Sequence, residues 1–473
     1  MFLKRLYDPK LAQASYLLGC TRSGEALVVD PNRNIDLYLQ AAAAEGLRIA
    51  HVTETHIHAD FVSGSRELAQ EAGARLYLSD AGGSDWSYDY AAEAGATPLR
   101  DGSFLSVGTV QLRIAHVPGH TPEHLSLLVT DTAASEPMGA FTGDFIFAGD
   151  VGRPDLLERA AQVRGTMEQS ARDLFRSLQQ FRVYPDYLQI WPGHGAGSVC
   201  GKSLGAVPQT TLGYEKRFNW AFSVRDEEEF VGAVLAGQPD PPRYFAKMKR
   251  INQSGPRLLD GIRRPPRLPP ARLAAVLAQG SPVVDTRPAP EFRLGAVAGT
   301  INIPKNRAFT TWAGSLLPYD QDFYLVTDDG TKNVDELARD LAGIGLDRVA
   351  GYFEAETVEA TSRAHLQTIP SVTLSQVRVR TEAGGATLLD VRSEAEWNSG
   401  HAPGSLNIPL GHLDHRVNDI PRDRSIIVHC QSGGRAAIAA SLLKARGFRD
   451  VQLFPGGFAE WRAAEEPQEQ AEN

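Results

Sequence analysis

A repeat restricts this chain more than any other feature. The segment PVVDTRPAPEFRLGAVAGTINIP (282–304) returns as TLLDVRSEAEWNSGHAPGSLNIP (387–409). Asp285, Arg287, Glu291, Gly295, Gly299, Asn302 and Pro304 recur as Asp390, Arg392, Glu396, Gly400, Gly404, Asn407 and Pro409, each 105 positions on. Further along the offset becomes 102, which sets YLVTDDGTKN against IIVHCQSGGR and GLDRV against GFRDV. Self-similarity at a fixed period means one supersecondary unit used twice. The C-terminal half is therefore expected to hold two α/β units of about 100 residues each.

Domain boundaries follow from the repeat. The two copies are expected at 270–362 and 368–465, entered through the Pro- and Arg-rich stretch RRPPRLPPARL. Residues 1–262 form the remaining domain, whose last part, from about 205, reads as a helical extension. The acidic tail AAEEPQEQAEN is expected to be disordered over 466–473. Up to about residue 200, short apolar runs such as EALVVDP, QLRIAHVPG and GAFTGDF alternate with turns. Helical patterns, IDLYLQAAAAEG and SRELAQEAG, each close on a glycine. This mixture predicts a sheet core with helices outside.

Charge and cysteine content narrow the function. The net charge of −9 and pI near 5.8 speak against a nucleic-acid binder. No run approaches the ~18 apolar residues of a membrane span, and MFLKRLYDPKLAQ lacks the apolar stretch of a secretory signal. Three cysteines, Cys20, Cys200 and Cys430, make no disulfide framework. A cytoplasmic protein is expected, without nucleic-acid or membrane partners.

Metal-type ligands gather in four motifs at the ends of strand-like runs: THIHADF (His56, His58, Asp60), VPGHTPEH (His120, His124), FTGD (Asp144) and WPGHG (His194). Strand ends on a rigid scaffold are where convergent ligands belong. In this order and spacing the motifs resemble the metallo-β-lactamase superfamily, an αββα sandwich with its site at one edge. Within it the chain resembles the persulfide dioxygenases. That resemblance implies one Fe(II) per chain, held by His56, His120 and Asp144. Two imidazoles and a carboxylate with open positions suit non-haem iron and O₂. Phe61 stands where a dinuclear hydrolase would want another imidazole, so the second metal loses a donor. Plain core packing also accounts for Phe61. His58, Asp60 and His194 are then expected to orient ligands or O₂ through hydrogen bonds.

Two further expectations rest on the same resemblance. In AGDVGRPDL, Arg153 and Asp155 lie near the thiol carrier, with Arg153 a candidate to hold its carboxylate or phosphate. A loop ion pair is the competing reading. Cys200, in GHGAGSVCGKSLGA, either takes part in sulfur handling beside the iron or is a small buried hydrophobe.

The second copy of the repeat carries its own chemistry. Ile426-Ile427-Val428 leads to Cys430, then the loop Gln431-Ser432-Gly433-Gly434, Arg435 and a helical pattern. A thiol set over helix N-terminal N–H groups, with an arginine nearby, favours thiolate and can hold an anion. Cys430 is thus a candidate nucleophile that accepts sulfane sulfur. The spacing C-x₄-R resembles the rhodaneses, which carry a persulfide on this cysteine; phosphatases use one residue more. In the first copy Asp328 replaces the cysteine and no arginine follows. That copy resembles an inactive rhodanese, with spacing, oligomer contact or positioning as its expected role.

Taken together, the order of domains resembles persulfide dioxygenase–rhodanese fusions of sulfide detoxification. The resemblance implies oxidation of a low-molecular-weight persulfide (of glutathione, coenzyme A or a similar thiol) by O₂ to sulfite and thiol. Sulfur carried on Cys430 then converts sulfite to thiosulfate, and a homo-oligomer is expected. Two other readings stay open: a glyoxalase II-like thioester hydrolase fused to a sulfurtransferase, and a non-enzymatic sulfur relay.

Overall fold

Alternation along the strands sets the N-terminal architecture. In Glu25–Val29, Leu27 and Val29 join one apolar cluster while Ala26 and Val28 join another. In Leu125–Thr130, Leu125, Leu127 and Val129 face the first cluster and Leu128 a third. Successive side chains of a strand point to opposite faces, so each sheet is buried on both. The computed structural model describes residues 1–470 except 132, 162–164, 203, 329–330 and 363–365. By its contacts the chain divides into Met1–Ile262 with Ala342–Gly345, and Arg263–Leu341 with Leu346–Asn473.

The first unit holds two six-stranded sheets. One runs β1 (Phe2–Asp8), β2 (Gln13–Cys20), β3 (Glu25–Val29), β4 (Arg48–Thr53), β5 (Arg75–Ser79) and β6 (Thr97–Leu99) in spatial order. The other comprises β7 (Phe104–Val107), β8 (Val110–His116), β9 (Leu125–Thr130), β10 (Gly139–Gly143), β11 (Gln189–Pro192) and β12 (Thr210–Thr211), also in order. β3 to β6 pair in parallel, as do β10 and β11; the other neighbours are antiparallel. Tyr16, Leu18, Leu112, Leu127, Phe141 and Trp191 pack between the sheets. Tyr38 and Leu68, from helices Asp36–Ala44 and Ser65–Ala72, cover one outer face. Leu174 and Phe230, from Met167–Phe181 and Glu227–Leu235, cover the other. The result is an αββα sandwich. Among the described residues no helix is long and apolar enough to cross a membrane.

The second unit contains both copies of the repeat, and the sheets match. Ile301–Asn302, Val283–Asp285, Phe323–Thr327 and Val349–Glu354 lie side by side in the first copy. Leu406–Asn407, Ala386–Asp390, Ser425–His429 and Val451–Leu453 do so in the second. All pairs are parallel. Part of the Pro- and Arg-rich stretch adds to the edge of the first sheet, with Leu268 N–H donating to the Tyr352 carbonyl at 2.8 Å. The Leu453 N–H donates to the Pro370 carbonyl at 2.9 Å at the corresponding edge of the second. Of the tail, Glu469 N–H donates to the His401 carbonyl at 2.9 Å; 471–473 lie outside the described residues.

The repeated identities explain themselves in this geometry. Asp390 accepts from Arg392 Nε at 2.9–3.0 Å and from Nη2 at 2.6 Å, with both residues buried. Nη2 also reaches the Gly400 carbonyl at 2.9 Å. Asn407 Nδ2 donates to the Asp390 and Arg392 carbonyls at 3.0 and 3.1 Å. Asp285, Arg287 and Asn302 make the same bonds, the Asn302 pair at 2.9 Å each. The frame ties the end of each second strand to the turn that follows it. Asp390→Ala would leave a buried guanidinium unpaired, and is expected to cost about 3–5 kcal/mol of stability. Denaturant unfolding of the full chain measures it, and a loss below about 1 kcal/mol, the range of an exposed pair, would contradict this account.

Candidate metal centre and thiol site

One edge of the sandwich collects its polar residues from separate strands. β3 runs on to Asp30, β4 to Thr55 and His56, β8 to His120, β10 to Asp144 and β11 to His194. Gly143, at φ 49°, makes the turn to Asp144, and a Cβ there would stand 2.4 Å from Thr55 Oγ1. Only glycine fits this close approach.

Each imidazole is locked from behind. Thr55 Oγ1 donates to Asp30 Oδ2 at 3.0 Å, so its lone pair receives His56 Nδ1–H at 2.9 Å. His120 Nδ1 donates to the Arg153 carbonyl at 2.9 Å, and His194 Nδ1 to the Ala12 carbonyl at 3.0 Å. All of them turn Nε2 toward Asp144. The separations are 4.0 Å for His56 and 3.5 Å for His120 from Oδ2, and 3.4 Å for His194 from Oδ1. Neither Asp144 oxygen has a hydrogen-bond partner among the described residues. Burial, reinforced by neighbouring imidazoles, pushes the His56 pKa well below its ordinary value. Burial also lowers that of His120, against the pull of Asp144. A buried carboxylate facing neutral nitrogen lone pairs is offered only the weakly donating Cys200 thiol, and burying a charge without a strong partner is costly. The residues fit a bound cation.

His56, His120 and Asp144 form one group of ligand atoms lying within 4.8 Å of one another. Asp60, His194 and Cys200 form another. His194 thus stands between the groups, 3.3 Å from Asp60 Oδ2. Burial, then Asp144 and Asp60, raise the Cys200 thiol pKa well above normal, so the thiol is neutral. His58 faces elsewhere: its Nε2 is 3.1 Å from Asp30 Oδ1. Burial opposes its charge, but Asp30, Glu54 and Asp60 raise its pKa to about 9. Phe61 is fully buried with its ring centroid 4.4 Å from that of His58.

Arg153 is wholly buried and committed. Its Nε and Nη2 donate to Asp155 at 2.8 and 2.6 Å, and Nη1 to the Val199 carbonyl at 3.2 Å. Its guanidinium fixes the loop whose carbonyl orients His120; the carrier's anion would have to compete with Asp155 for it. Sequence reasoning missed Asp30, Thr55 and Glu123. Asp30 has φ 52°, rare for a residue other than glycine, and Glu123 accepts the Ile57 N–H at 2.7 Å between the two histidines. EALVVDP ends a strand on an acid as FTGD does, and that was the available signal. His124 is no free ligand, because its Nε2 accepts the Asp144 N–H at 3.0 Å.

The thiol site is built from a strand, a loop and a helix. Ser425–His429 ends at Cys430, and Gly434–Ala445 starts beyond the loop Gln431–Gly433. Gly433 has φ 86°, and a Cβ on it would meet the Pro455 carbonyl oxygen at 2.6 Å. The Phe458 and Ala459 N–H groups donate to the Cys430 and Gln431 carbonyls at 2.8 and 3.0 Å. Two of the loop's carbonyls are thus held by the first turn of the helix Gly457–Ala463. Arg435 Nη1 and Nη2 bond Glu396 at 2.6 and 2.8 Å. Burial alone would raise the Glu396 pKa, but Arg435 and Ser393 hold it at about 2. In the first copy Asp328 and Asn333 stand where Cys430 and Arg435 do; Asp329 and Gly330 of that loop lie outside the described residues.

Comparison with known proteins agrees with the division. Residues 8–194 match the metallo-beta-lactamase superfamily, and residues 373–464 match the rhodanese-like domain. The crystal structure of a metallo-beta-lactamase from Staphylococcus aureus subsp. aureus COL is 40% identical, with a TM-score of 0.67 over 75% of this chain and 98% of that one. A hydroxyacylglutathione hydrolase of Synechococcus is 32% identical over 38% of this chain and 63% of its own. A mitochondrial persulfide dioxygenase of Bos taurus is 28% identical over 41% of this chain and 68% of its own. The chain therefore spans less than two thirds of the Synechococcus protein.

The geometry predicts how metal affinity responds to substitution. Asp144→Asn is expected to abolish stoichiometric metal binding, and Thr55→Val, which frees the His56 tautomer, to weaken it about 10–100-fold. Metal analysis after dialysis against graded chelator measures both. An Asp144→Asn protein as metal-rich as the parent would overturn the assignment.

Proposed function

From a chain that belongs to the metallo-β-lactamase superfamily and carries a rhodanese-like domain, we propose an Fe(II)-dependent persulfide dioxygenase coupled to sulfur transfer through Cys430. The likeness to the Bos taurus persulfide dioxygenase supports this reading. The observation that carries it is the donor set: two imidazoles and one carboxylate, with Phe61 where another imidazole would serve a second metal. Bound to His56, His120 and Asp144, a ferrous ion would supply O₂ activation and an open position for sulfur.

The chain's own residues supply orientation and exclusion of water. Thr55 and the Arg153 carbonyl hold His56 and His120 in the tautomer with Nε2 inward. Phe61 replaces a wet imidazole by hydrocarbon. Cys200 is buried in one donor group with Asp60 and His194, beside the first. The overall reaction balances as RSSH + O₂ + H₂O giving RSH, sulfite and two protons. At the second site, the Cys430 thiolate attacks the outer sulfur of another RSSH. The S–S bond breaks, RS⁻ leaves and takes a proton from solvent, and Cys430 carries the persulfide. Sulfite attacks that outer sulfur, releasing thiosulfate, a proton and the Cys430 thiolate. Covalent linkage of the two domains raises the effective concentration of sulfite near its acceptor.

Thioester hydrolysis with an attached sulfurtransferase is the second reading. It is favoured by the Asp60, His194 and Cys200 donor group beside the first and by the likeness to hydroxyacylglutathione hydrolase. Metal stoichiometry measured together with O₂ uptake separates the two. One iron and O₂ consumption with glutathione persulfide are expected; two metals and O₂-independent thioester cleavage would favour the hydrolase. Cys430→Ser is expected to leave O₂ uptake within about twofold while product shifts from thiosulfate to sulfite, because the transfer nucleophile alone is lost. Equal loss of both activities would contradict the division of labour.

A further inference from the structure

The cysteine-less copy of the repeat has no transfer chemistry of its own, yet it faces the copy that does. Both copies lie in the second unit. Between them is a cleft of about 730 Å³, lined by Cys430 and Arg435 on one side and by Lys305, Trp312, Asp328 and Asn333 on the other. The corresponding loops of the two repeats therefore share one space. The wall is fixed: the Asn302 N–H, in the edge strand of the first copy, donates to Ser441 Oγ at 2.9 Å. Ser441 belongs to the helix Gly434–Ala445 that rises from the cysteine loop.

The cleft is larger than inorganic sulfur anions require. Sulfite and thiosulfate have four and five heavy atoms, which at about 30 Å³ each fill on the order of 150 Å³ at most. Clefts of roughly 300–1,000 Å³ accommodate organic molecules. The Arg435 guanidinium is engaged by both Glu396 oxygens. Asp328 adds a carboxylate on the side opposite the thiol. Lys305 is the cation of the far wall. Its ammonium has three donors, of which Asn333 Oδ1 at 2.8 Å and Glu336 Oε2 at 2.6 Å take two. Trp312, half-buried in the helix Phe309–Leu316, gives the same wall an aromatic surface.

We propose that this cleft binds a low-molecular-weight organic persulfide, its anionic tail at Lys305 and its carbon chain on Trp312, so that its outer sulfur meets Cys430. The cysteine-less copy is then a substrate-binding half of the transfer site. This rests on the sulfur-transfer reading above and assigns the residues that hold its organic donor. Transfer follows the balance already given: the bond from the outer sulfur to the carrier breaks, the bond to Cys430 Sγ forms, and the thiolate departs.

The test measures persulfide loading of Cys430 in the full chain by intact mass after alkylation, against donor concentration. Glutathione persulfide and coenzyme A persulfide are the organic donors, and thiosulfate the inorganic one. Trp312→Ala is expected to raise the half-saturating concentration of an organic donor about tenfold, as for loss of a buried aromatic contact, and to change that of thiosulfate less than about twofold. Lys305→Gln should act in the same sense, with Lys305→Arg largely restoring the parent value. The carrier more affected at Lys305 shows whether carboxylate or phosphate is read there. Lys305 is partly exposed, so its variants keep the comparison should Trp312→Ala fail to fold. Equal shifts for organic and inorganic donors, or none, would overturn the proposal while leaving transfer intact. If parent Cys430 takes sulfur from no donor, the sulfur-transfer reading itself fails.

Discussion

The carboxylate of Asp144 is the group around which the N-terminal unit makes sense. It is buried, neither oxygen has a nitrogen or hydroxyl donor among the described residues, and the nearest nitrogens are imidazole Nε2 atoms 3.4–4.0 Å away. Such a group left alone would cost several kcal/mol. A cation removes the conflict at once, since it accepts from oxygen and nitrogen together. The ring of supports then has a purpose. Asp30 fixes Thr55, which fixes His56; the Arg153 carbonyl fixes His120; Glu123 holds the backbone between His56 and His58. These partners stop each imidazole from rotating to satisfy the carboxylate itself.

The same edge contains a second, poorer set of donors. Asp60, His194 and Cys200 converge, but His58 is drawn to Asp30 and Phe61 offers only a ring face. The chemistry of the site therefore turns on an asymmetry between two neighbouring donor groups. One has its imidazoles locked with Nε2 inward. The other mixes a carboxylate, a shared histidine and a thiol that burial keeps protonated.

In the second unit, one scaffold has been put to two uses. The Asp–Arg pair and the Asn that caps its carbonyls are present in both copies because removing any of them strands buried polar groups. The copies diverge at the loop beyond the third strand. Cys430 and Arg435 in one become Asp328 and Asn333 in the other.

Much of this was legible in the residues alone. Period-2 alternation and the repeat at offset 105 specify two-sided sheets and a duplicated α/β unit, since both are statements about spacing along the chain. The family resemblance carried by the motifs singled out His56, His120 and Asp144, which lie beyond strand ends, and the C-x₄-R spacing singled out Cys430 and Arg435 on the loop and helix after a strand. Spacing could not say that Arg153 is spent on Asp155, that His58 turns to Asp30, or that His194 stands as near Asp144 as His120 does. Nor could it reveal that Lys305 and Trp312 share a cleft with a cysteine more than a hundred positions away. Those facts depend on which distant segments meet, and on how buried donors and acceptors divide among competing partners. The covalent order of residues set the elements and the chemistry available; tertiary packing decided which side chains hold the site and which are left open to act.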